Sequence, residues 1–550
     1  MVASINQFPP IKSLAVTLLL GSLLCACGGA SSTSTPHVER DSGQSLLGPS
    51  ISGSNSAPAT SIGNSNVITW TSGVFPASTT YENRCAAPRA GTNPATGKPF
   101  PDKQGSESEE KFWLRSISQE TYLWPDDLVD VNPNNYSLLP YFDQLKSPAK
   151  TAGGKNKDQF HFYEKSSDQY ENFVLGKDIS VGIRWKYVGA DLTVLSVQPA
   201  SPADKAGVRR GMILKQIDGT DLSAVSDSLF NTTLSPTAEG ETHRLGLAAQ
   251  GDTVVADFVL RAENLQESPV FPVQTVAGLS GEKVGYIGFH SFNGPSEAAL
   301  IDAVNNLQTN QVTELVLDLR YNGGGYIGVA SQLAYMLVGK IKTEGKIFSR
   351  THLNAALEAQ ASPGQLDELF ANTTLGYSKN LTPGQALPQL NLKRLYVLTG
   401  KGTCSASELL INSLRGIDVP VIQIGNTTCG KPYGFFGLEN CGYMYYTVNL
   451  QTLNAKGFGD YADGMSPADT LVNQGSPAGC VVDDDLTQPL GSIAEKRLAA
   501  ALQHISTGQC ATMVAAQNAP VLGDDSGDAQ LKRRLELMLP KAIMENNMVK

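Results

Sequence analysis

Two strand–helix–strand patterns in the second half of the chain constrain its fold most strongly. In the first pattern, the helix carries Leu300, Ile301, Val304 and Leu307 on one face, at the spacing of an amphipathic helix. A helical crossover between neighbouring strands makes those strands parallel. The sequence therefore predicts an α/β fold. In chain order the predicted segments are strand 284–289, a helix from about 295, strand 315–319, strand 395–398, helix 405–415 and strand 419–424.

The composition limits the remaining possibilities. With 550 residues, and about 150 residues per domain, the chain is expected to form three or four domains. Its 41% hydrophobic and 17% charged residues exclude a disordered chain or a coiled coil. The net charge of -10 disfavours nucleic acid as a partner. No apolar run reaches the length of about 18 residues that a membrane-spanning helix needs.

The N-terminus resembles a bacterial lipoprotein signal. Lys12 precedes an apolar stretch over 13–24, which ends in Leu24-Cys25-Ala26-Cys27-Gly28. The resemblance implies that residues 1–26 are removed and that Cys27 is lipidated, because Leu24, Ala26 and Cys27 match the lipoprotein box. Acyl chains would then anchor the protein to a bacterial membrane. Gly28 implies the periplasmic side of the outer membrane. The alternative is an ordinary secretory signal with incidental cysteines.

A linker and a small helical region are predicted to follow. Residues 27–80 are rich in Ser, Thr, Gly, Asn, Ala and Pro, and this composition favours a flexible linker. Residues 81–177 are expected to form a helical region, with helices near 109–118 and 141–145. Its aromatic residues favour packing against a neighbouring domain over a ligand-binding stripe.

The segment from 178 to 265 resembles a bacterial PDZ domain. Ser201-Pro202-Ala203-Asp204-Lys205-Ala206-Gly207 combines an N-cap serine, a proline at the first helical position and a terminating glycine. A predicted strand over 212–217 then ends at an Asp218-Gly219 turn. The resemblance implies that the loop of Val181, Gly182 and Ile183 binds a peptide carboxylate through backbone amides. The alternative is a spacer or a lid.

Two loops that follow predicted strands have unusual compositions. In the loop over 320–325, three glycines allow consecutive amides to converge on one point. This suits an oxyanion hole, a tight turn or a phosphate-binding nest. The second loop, over 402–408, places Ser405 at a helix N-terminus, where free amides favour negative charge. Alone, Ser405 is better explained as a helix cap than as a nucleophile.

Together these loops resemble the motifs of the C-terminal processing peptidases, also called tail-specific proteases. Those motifs are DLR-x-N-GGG, SASE and a GK pair one strand later; here they lie at 318–325, 405–408 and 430–431, and the resemblance runs over about 111–471. It implies a multidomain α/β protein with a crotonase/Clp-like protease core over 266–520 and an inserted PDZ domain. It also implies a serine endopeptidase that cleaves proteins near their C-termini, with no cofactor and no metal.

The resemblance assigns a role to individual residues. Ser405 would be the nucleophile and Lys431 its general base. The Ala406 amide and the amide of Gly323 or Gly324 would form the oxyanion hole. A lysine accepts a proton only when neutral, so its pKa must fall from about 10.4 towards neutrality. Many family members place a glutamine four residues after the lysine to orient it, whereas this chain has Phe435.

The cysteines predict an oxidising compartment. Beyond Cys27, the mature chain has six, which allow 15 pairings. Short loops favour the pairs Cys429–Cys441 and Cys480–Cys510, which leaves Cys85 with Cys404. A metal site is disfavoured, because no CxxC pair or His-rich cluster accompanies them. Disulfides near Ser405 and Lys431 would either fix the two loops or make activity redox-sensitive.

Several other features have simpler interpretations. His290 suggests a Ser-His pair, but no carboxylate motif accompanies it, and a structural role is favoured. Residues 459–467 are expected to form a loop beside the substrate cleft, and 521–550 a tail with an amphipathic helix over 528–539. Two other functions stay open, namely a binding protein on a related fold and an inactive scaffold. The expected partners are proteins with free C-termini and an activating adaptor.

Overall fold

The computed structural model describes residues 68–468 and 475–510. The predicted signal peptide, Cys27, most of the linker over 27–80 and the tail over 521–550 lie outside these residues. Within the described part of the chain, no helix is long and apolar enough to cross a bilayer.

The N-terminal region is built around one amphipathic helix. Helix α1 covers the segment predicted at 109–118 and is longer at both ends; Ser106 caps it by accepting from the Glu109 N–H at 3.3 Å. Residues of the predicted linker also contact this helix, because Arg115 donates to the Val74 carbonyl at 2.7 Å. The elements are β1 (Arg84–Cys85), β2 (Lys103–Gln104), α1 (Glu107–Thr121), α2 (Leu138–Phe142), β3 (Phe162–Lys165), α3 (Ser166–Asp168) and a π-helix (Gln169–Val174).

A sheet-rich insert, residues 177–266, follows. Its first and last strands pair antiparallel, so the chain enters and leaves the insert at one place. The predicted capped helix is present: Ser201 accepts from the Asp204 N–H, and Gly207 ends the helix at φ +89°. The elements are β4 (Lys177–Ser180), β5 (Ile183–Val188), β6 (Asp191–Val197), α4 (Pro202–Ala206), β7 (Ile213–Ile217), β8 (Thr220–Asp221), α5 (Asp227–Leu234), β9 (Thr242–Ala248), β10 (Val255–Arg261) and β11 (Glu263–Gln266).

The remaining chain forms an α/β core. Both predicted strand–helix–strand units are present: β13 pairs parallel with β14, and β17 with β18. The elements are β12 (Val270–Ala277), β13 (Lys283–Phe289), α6 (Ser296–Thr309), β14 (Glu314–Asp318), α7 (Ile327–Val338), α8 (Lys340–Thr343), β15 (Ile347–His352), α9 (Ala355–Glu358), β16 (Asp367–Leu369), β17 (Leu395–Thr399), α10 (Ala406–Gly416), β18 (Val421–Gly425), β19 (Tyr433–Gly434), β20 (Leu438–Asn440), β21 (Tyr443–Tyr446), β22 (Leu450–Leu453), β23 (Gly479–Val481) and α11 (Lys496–Thr507).

The central sheet has the order β12-β13-β14-β17-β18-β23, and only the β12–β13 pair is antiparallel. Helices α6, α7 and α10 pack into the larger apolar cluster of the core, and α11 into a second cluster that also includes residues of β13, β14, β17 and β18. A separate small sheet joins β20 and β21 to β3 of the N-terminal region. Because of this shared sheet, the N-terminal region reaches the same part of the core as the Gly-Lys motif.

The disulfides correct two of the three expected pairings. Cys480–Cys510 is confirmed, but Cys85 pairs with Cys441 and Cys404 pairs with Cys429. Loop length favoured Cys429–Cys441, whereas the fold places Cys441 in the turn between β20 and β21, beside β1. Spatial neighbourhood, not separation along the chain, therefore decides the pairing.

Candidate active site

The serine of the SASE motif lies at a strained turn. Ser405 is fully buried directly before α10 and has φ +60° and ψ -116°. A residue other than glycine adopts such a conformation at a cost of about 1–3 kcal/mol, and it persists only where surrounding contacts impose it. The structure therefore holds Ser405 in a conformation that its own backbone does not favour.

A buried carboxylate imposes much of this geometry. Glu408 Oε2 accepts from the Ser405 N–H at 3.0 Å and from the Lys431 N–H at 2.8 Å. Its other oxygen accepts from the Gly430 N–H at 2.9 Å and from the Thr428 hydroxyl at 2.5 Å. Burial raises the pKa of Glu408, while these hydrogen bonds act in the opposite direction. One side chain thus joins the backbones of the two motifs.

A disulfide joins the same two segments covalently. Cys404 precedes the serine, Cys429 lies two residues before the lysine, and their Cα atoms are 5.2 Å apart. The two sulfurs and the Glu408 carboxylate lie close enough together to suggest a metal site. However, sulfurs in a disulfide offer no thiolate ligand, and Glu408 already has several hydrogen-bond donors. The cluster is consequently best explained as a brace between two loops.

The glycine loop after β14 contacts the nucleophile segment. A Cβ on Gly324 would lie 2.7 Å from Ser405 Cβ and 2.8 Å from the Ala406 nitrogen, and Gly324 has φ +103°. Only glycine fits at this position. Asn322 fixes the loop: its carbonyl accepts from the Cys404 N–H at 3.0 Å, and its Oδ1 accepts from the Gly324 N–H at 2.8 Å. The structure therefore brings Gly323, Gly324 and Ala406 to one place, with the Gly324 amide engaged by Asn322.

The lysine lies between two aromatic rings. Lys431 Nζ is 4.1 Å from the centre of the Phe435 ring and 5.0 Å from that of Phe160. Phe435 stands where the family resemblance expects an orienting glutamine. Phe160 precedes β3 and comes from the N-terminal region, whose aromatic residues the sequence predicts to pack against a neighbouring domain. No motif surrounds Phe160, so the sequence offered no signal for its place at the site.

An ionic network lies behind the glycine loop. Arg320 is buried and binds the carboxylates of Asp318 at 2.9 Å and Glu495 at 2.8 Å. Burial favours a raised pKa for Asp318, but the charge and hydrogen bonds of Arg320 outweigh it, so the pKa lies below the ordinary value. Glu495 is the residue before α11. The network therefore ties the Asp-Leu-Arg segment to the last helix of the core.

Two arginines of the insert contact Tyr321, which belongs to the glycine loop. Arg210 donates to the Tyr321 hydroxyl at 2.6 Å and binds Asp484 at 2.8 Å. Arg184 lies 3.4 Å from the His290 carbonyl and 3.5 Å from the Tyr321 carbonyl. Tyr321 directly precedes Asn322. The insert thus packs on the loop that contacts Ser405.

The other predicted residues lie elsewhere. The loop of Val181, Gly182 and Ile183 belongs to the insert, where the Gly182 N–H donates to Ser180 Oγ at 3.2 Å. His290 is buried, its Nε2 lies 2.8 Å from the Phe271 carbonyl, and burial lowers its pKa to about 3. These contacts are those of a structural histidine. Within the segment predicted to line the cleft, Gly464 packs against the Thr428 carbonyl.

Comparisons with known proteins find a family match within the core. Residues 283–439 match the model of peptidase family S41. The "C-terminal processing peptidase, chloroplastic" of Tetradesmus obliquus is 27% identical over 320 residues, which are 55% of this chain and 58% of the relative. The "Carboxyl-terminal-processing peptidase 2, chloroplastic" of Arabidopsis thaliana is 26% identical over 264 residues, 47% of this chain and 45% of the relative. The chain spans about half the length of the curated relatives it matches.

A solved structure agrees on the fold. The crystal structure of a "Putative S41 protease" from Bacteroides fragilis superposes with a TM-score of 0.54 at 23% identity. The superposition covers 72% of this chain and 97% of that protein. The family match covers the glycine loop, Ser405 and Lys431 together. This chain therefore carries a peptidase family S41 domain and is related to proteins named C-terminal processing peptidases.

Proposed function

We propose that this protein is a serine endopeptidase in which Ser405 is the nucleophile and Lys431 the general base. One observation carries the proposal: the backbone N–H groups of both residues donate to the same oxygen of buried Glu408. The two residues are 26 positions apart in the chain, and a shared buried carboxylate keeps them at one site. A Ser-Lys pair requires the two side chains to lie within reach of each other, and anchoring both backbones on one carboxylate favours this.

The geometry supports a two-step acyl transfer. Ser405 Oγ would attack the peptide carbonyl while Lys431 Nζ accepts its proton and then delivers it to the leaving amine. The Ala406 amide is the first of α10, where no intrahelical acceptor exists, and can bind the developing oxyanion. Because the Gly324 amide already binds Asn322, Gly323 is the better second donor. Water would then hydrolyse the acyl-enzyme.

We further propose that the insert is a PDZ domain that binds substrate tails and controls access to the site. Support comes from the capped helix at 201–207 and from the position of β5, which is an edge strand of the insert sheet. An edge strand can pair with an extended peptide. Arg184 lies on β5 and reaches Tyr321, so a peptide bound at this edge would lie next to the glycine loop.

The remaining proposals concern architecture and location. We propose a crotonase/Clp-like arrangement for the core and lipidation at Cys27, which would place the protein in a bacterial cell envelope. Three disulfides among the described residues suit the oxidising periplasm. Labelling of cells with an alkyne fatty acid, comparing the wild type with Cys27→Ala, tests the anchor.

The function is tested by cleavage of unstructured proteins with free apolar C-termini, with time-resolved mass spectrometry reporting the cut sites. Ser405→Ala and Lys431→Ala should each abolish cleavage while the thermal unfolding midpoint is kept. Ser413→Ala and Lys401→Ala are matched controls: Ser413 lies on the same helix, its hydroxyl has no hydrogen-bond partner in the described structure, and Lys401 is exposed. Both controls should cleave normally. Cleavage that survives Ser405→Ala would refute the mechanism.

A further inference from the structure

The structure supplies a support for Lys431 that the sequence did not reveal. The Lys431 backbone is fixed by Glu408, but the amine lies about four bonds beyond Cβ and needs its own contacts. Its nearest aromatic neighbours present their faces to Nζ, at 4.1 Å for Phe435 and 5.0 Å for Phe160. A cation over a ring face within about 6 Å is attracted by the ring quadrupole.

Both rings are themselves held in place. Phe435 is 2% exposed and makes edge contacts with Phe162 and Tyr446, at ring-centre distances of 5.8 Å in each case. Phe160 packs against Tyr433 at 6.2 Å. All five belong to one aromatic cluster that joins β3 of the N-terminal region to the strands after the lysine. The rings are therefore a rigid surface on which the amine rests.

We propose that Phe160 and Phe435 are positioning residues that orient the Lys431 amine and bind its ammonium form through their ring faces. The proposal rests on the Ser-Lys function above and deepens it. When Lys431 accepts the Ser405 proton, the same rings stabilise the ammonium that forms. Two ring faces thus lie against the amine, and one of them belongs to Phe435, where the family resemblance implies an orienting glutamine.

Other charged groups surround the lysine loop and must be considered in any titration. The backbone of the loop contacts Glu408, and Lys155 Nζ lies 3.5 Å from the Cys429 carbonyl. The loop over 460–464 packs on Gly430. The further titratable groups on the neighbouring elements are Asp158, His161, Tyr433, Asp460 and Asp463. The variants below change none of them.

The test replaces each ring by leucine, which keeps an apolar side chain but removes the ring face. Phe160→Leu and Phe435→Leu are compared with Phe162→Leu, which removes a ring of the same cluster that does not contact the amine, and with Phe435→Tyr, which keeps the ring. Thermal unfolding midpoints establish that each variant folds. Trace acetylation of the full protein over a pH series, read by peptide mass spectrometry, then gives the apparent pKa of the Lys431 amine without using activity.

Loss of a ring face destabilises the ammonium, so the apparent pKa of Lys431 should fall by about 0.5–1 unit in Phe160→Leu and Phe435→Leu. The acid limb of kcat/KM should move to lower pH by the same amount, and kcat should fall about three- to tenfold with KM nearly constant. Phe435→Tyr should match the wild type. Phe162→Leu, which removes an edge contact of Phe435 but no contact of the amine, should shift the pKa less than either of the other leucine variants. Unchanged titration in both leucine variants overturns the proposal. If the labelling shift is found but cleavage survives Ser405→Ala, the Ser-Lys function is refuted while the ring contact is confirmed.

Discussion

At the scale of single residues, Glu408 holds the segments of Ser405 and Lys431 together. Four donors meet its carboxylate, from Ser405, Thr428, Gly430 and Lys431. A carboxylate accepts at every one of these positions, whereas a glutamine must turn an NH2 group towards donors. We therefore expect Glu408→Gln to lower the free energy of unfolding by about 1–3 kcal/mol. It should also lower kcat at least tenfold.

The half-buried Glu368 provides the control for Glu408. Burial raises the pKa of Glu368 to about 7, so below that pH its carboxyl is mostly protonated and glutamine imitates it. Glu368→Gln, measured at pH 6 by chemical denaturation and peptide turnover, should therefore differ little from the wild type. If Glu408→Gln also keeps wild-type stability and kcat, the carboxylate does not hold the two motifs together.

At the scale of structural elements, two disulfides form a natural comparison. Cys404–Cys429 and Cys480–Cys510 close loops of similar length, with separations of 25 and 30 residues. In the chain-entropy model each should contribute about 3–4 kcal/mol to stability. Only the first joins the segments of Ser405 and Lys431. The second links β23 to the end of α11, on the far edge of the sheet.

The difference in position predicts a difference in activity. Cys404→Ser/Cys429→Ser should lower kcat several-fold, because the two loops lose their covalent link and are then joined by hydrogen bonds alone. Cys480→Ser/Cys510→Ser should lose a similar amount of stability and keep its kcat. Equal turnover in both double variants, at a temperature where both are folded, would show that the cross-link near Ser405 serves stability alone. A further measurement tests redox control. The wild type is treated with a dithiol, its reduced cysteines are counted by mass spectrometry, and its turnover is compared with that of the untreated protein.

The same scale shows what the sequence could predict. Apolar periodicity and capping residues located β13, β14, α10 and α4, since these elements depend on neighbours in the chain. Motif spacing also indicated Ser405 and Lys431. The pairings of Cys85 and Cys429 and the role of Phe160 were not predictable, because each depends on a contact between distant segments. Phe160 lies 271 positions before Lys431, and the sheet that β3 shares with β20 and β21 helps to bring the two together.

At the scale of the whole molecule, the contacts between the insert and the core determine how the insert affects the active site. Arg210 is almost fully buried where the two meet and contacts Tyr321, Asp484 and the Leu195 carbonyl. On the insert side, a Cβ on neighbouring Gly211 would lie 2.2 Å from the Leu486 carbonyl oxygen, so the two surfaces are in close contact. Tyr321 leads directly to Asn322, which holds both the Cys404 N–H and the Gly324 N–H. The docked insert therefore supports the loop beside the nucleophile.

This chain of contacts predicts that docking favours activity. Arg210→Ala removes the contact from the insert to Tyr321 and Asp484, although Arg320 still binds Asp484. It should lower kcat about tenfold, with a smaller change in KM, because the loop loses its support rather than its substrate contacts. Arg209→Ala is the matched control, since Arg209 is exposed and its side chain binds Asp204 within the insert. A peptide with a free apolar C-terminus, added in trans, should stimulate the wild type and Arg209→Ala but not Arg210→Ala. Higher turnover in Arg210→Ala than in the wild type would show instead that the docked insert restrains the site.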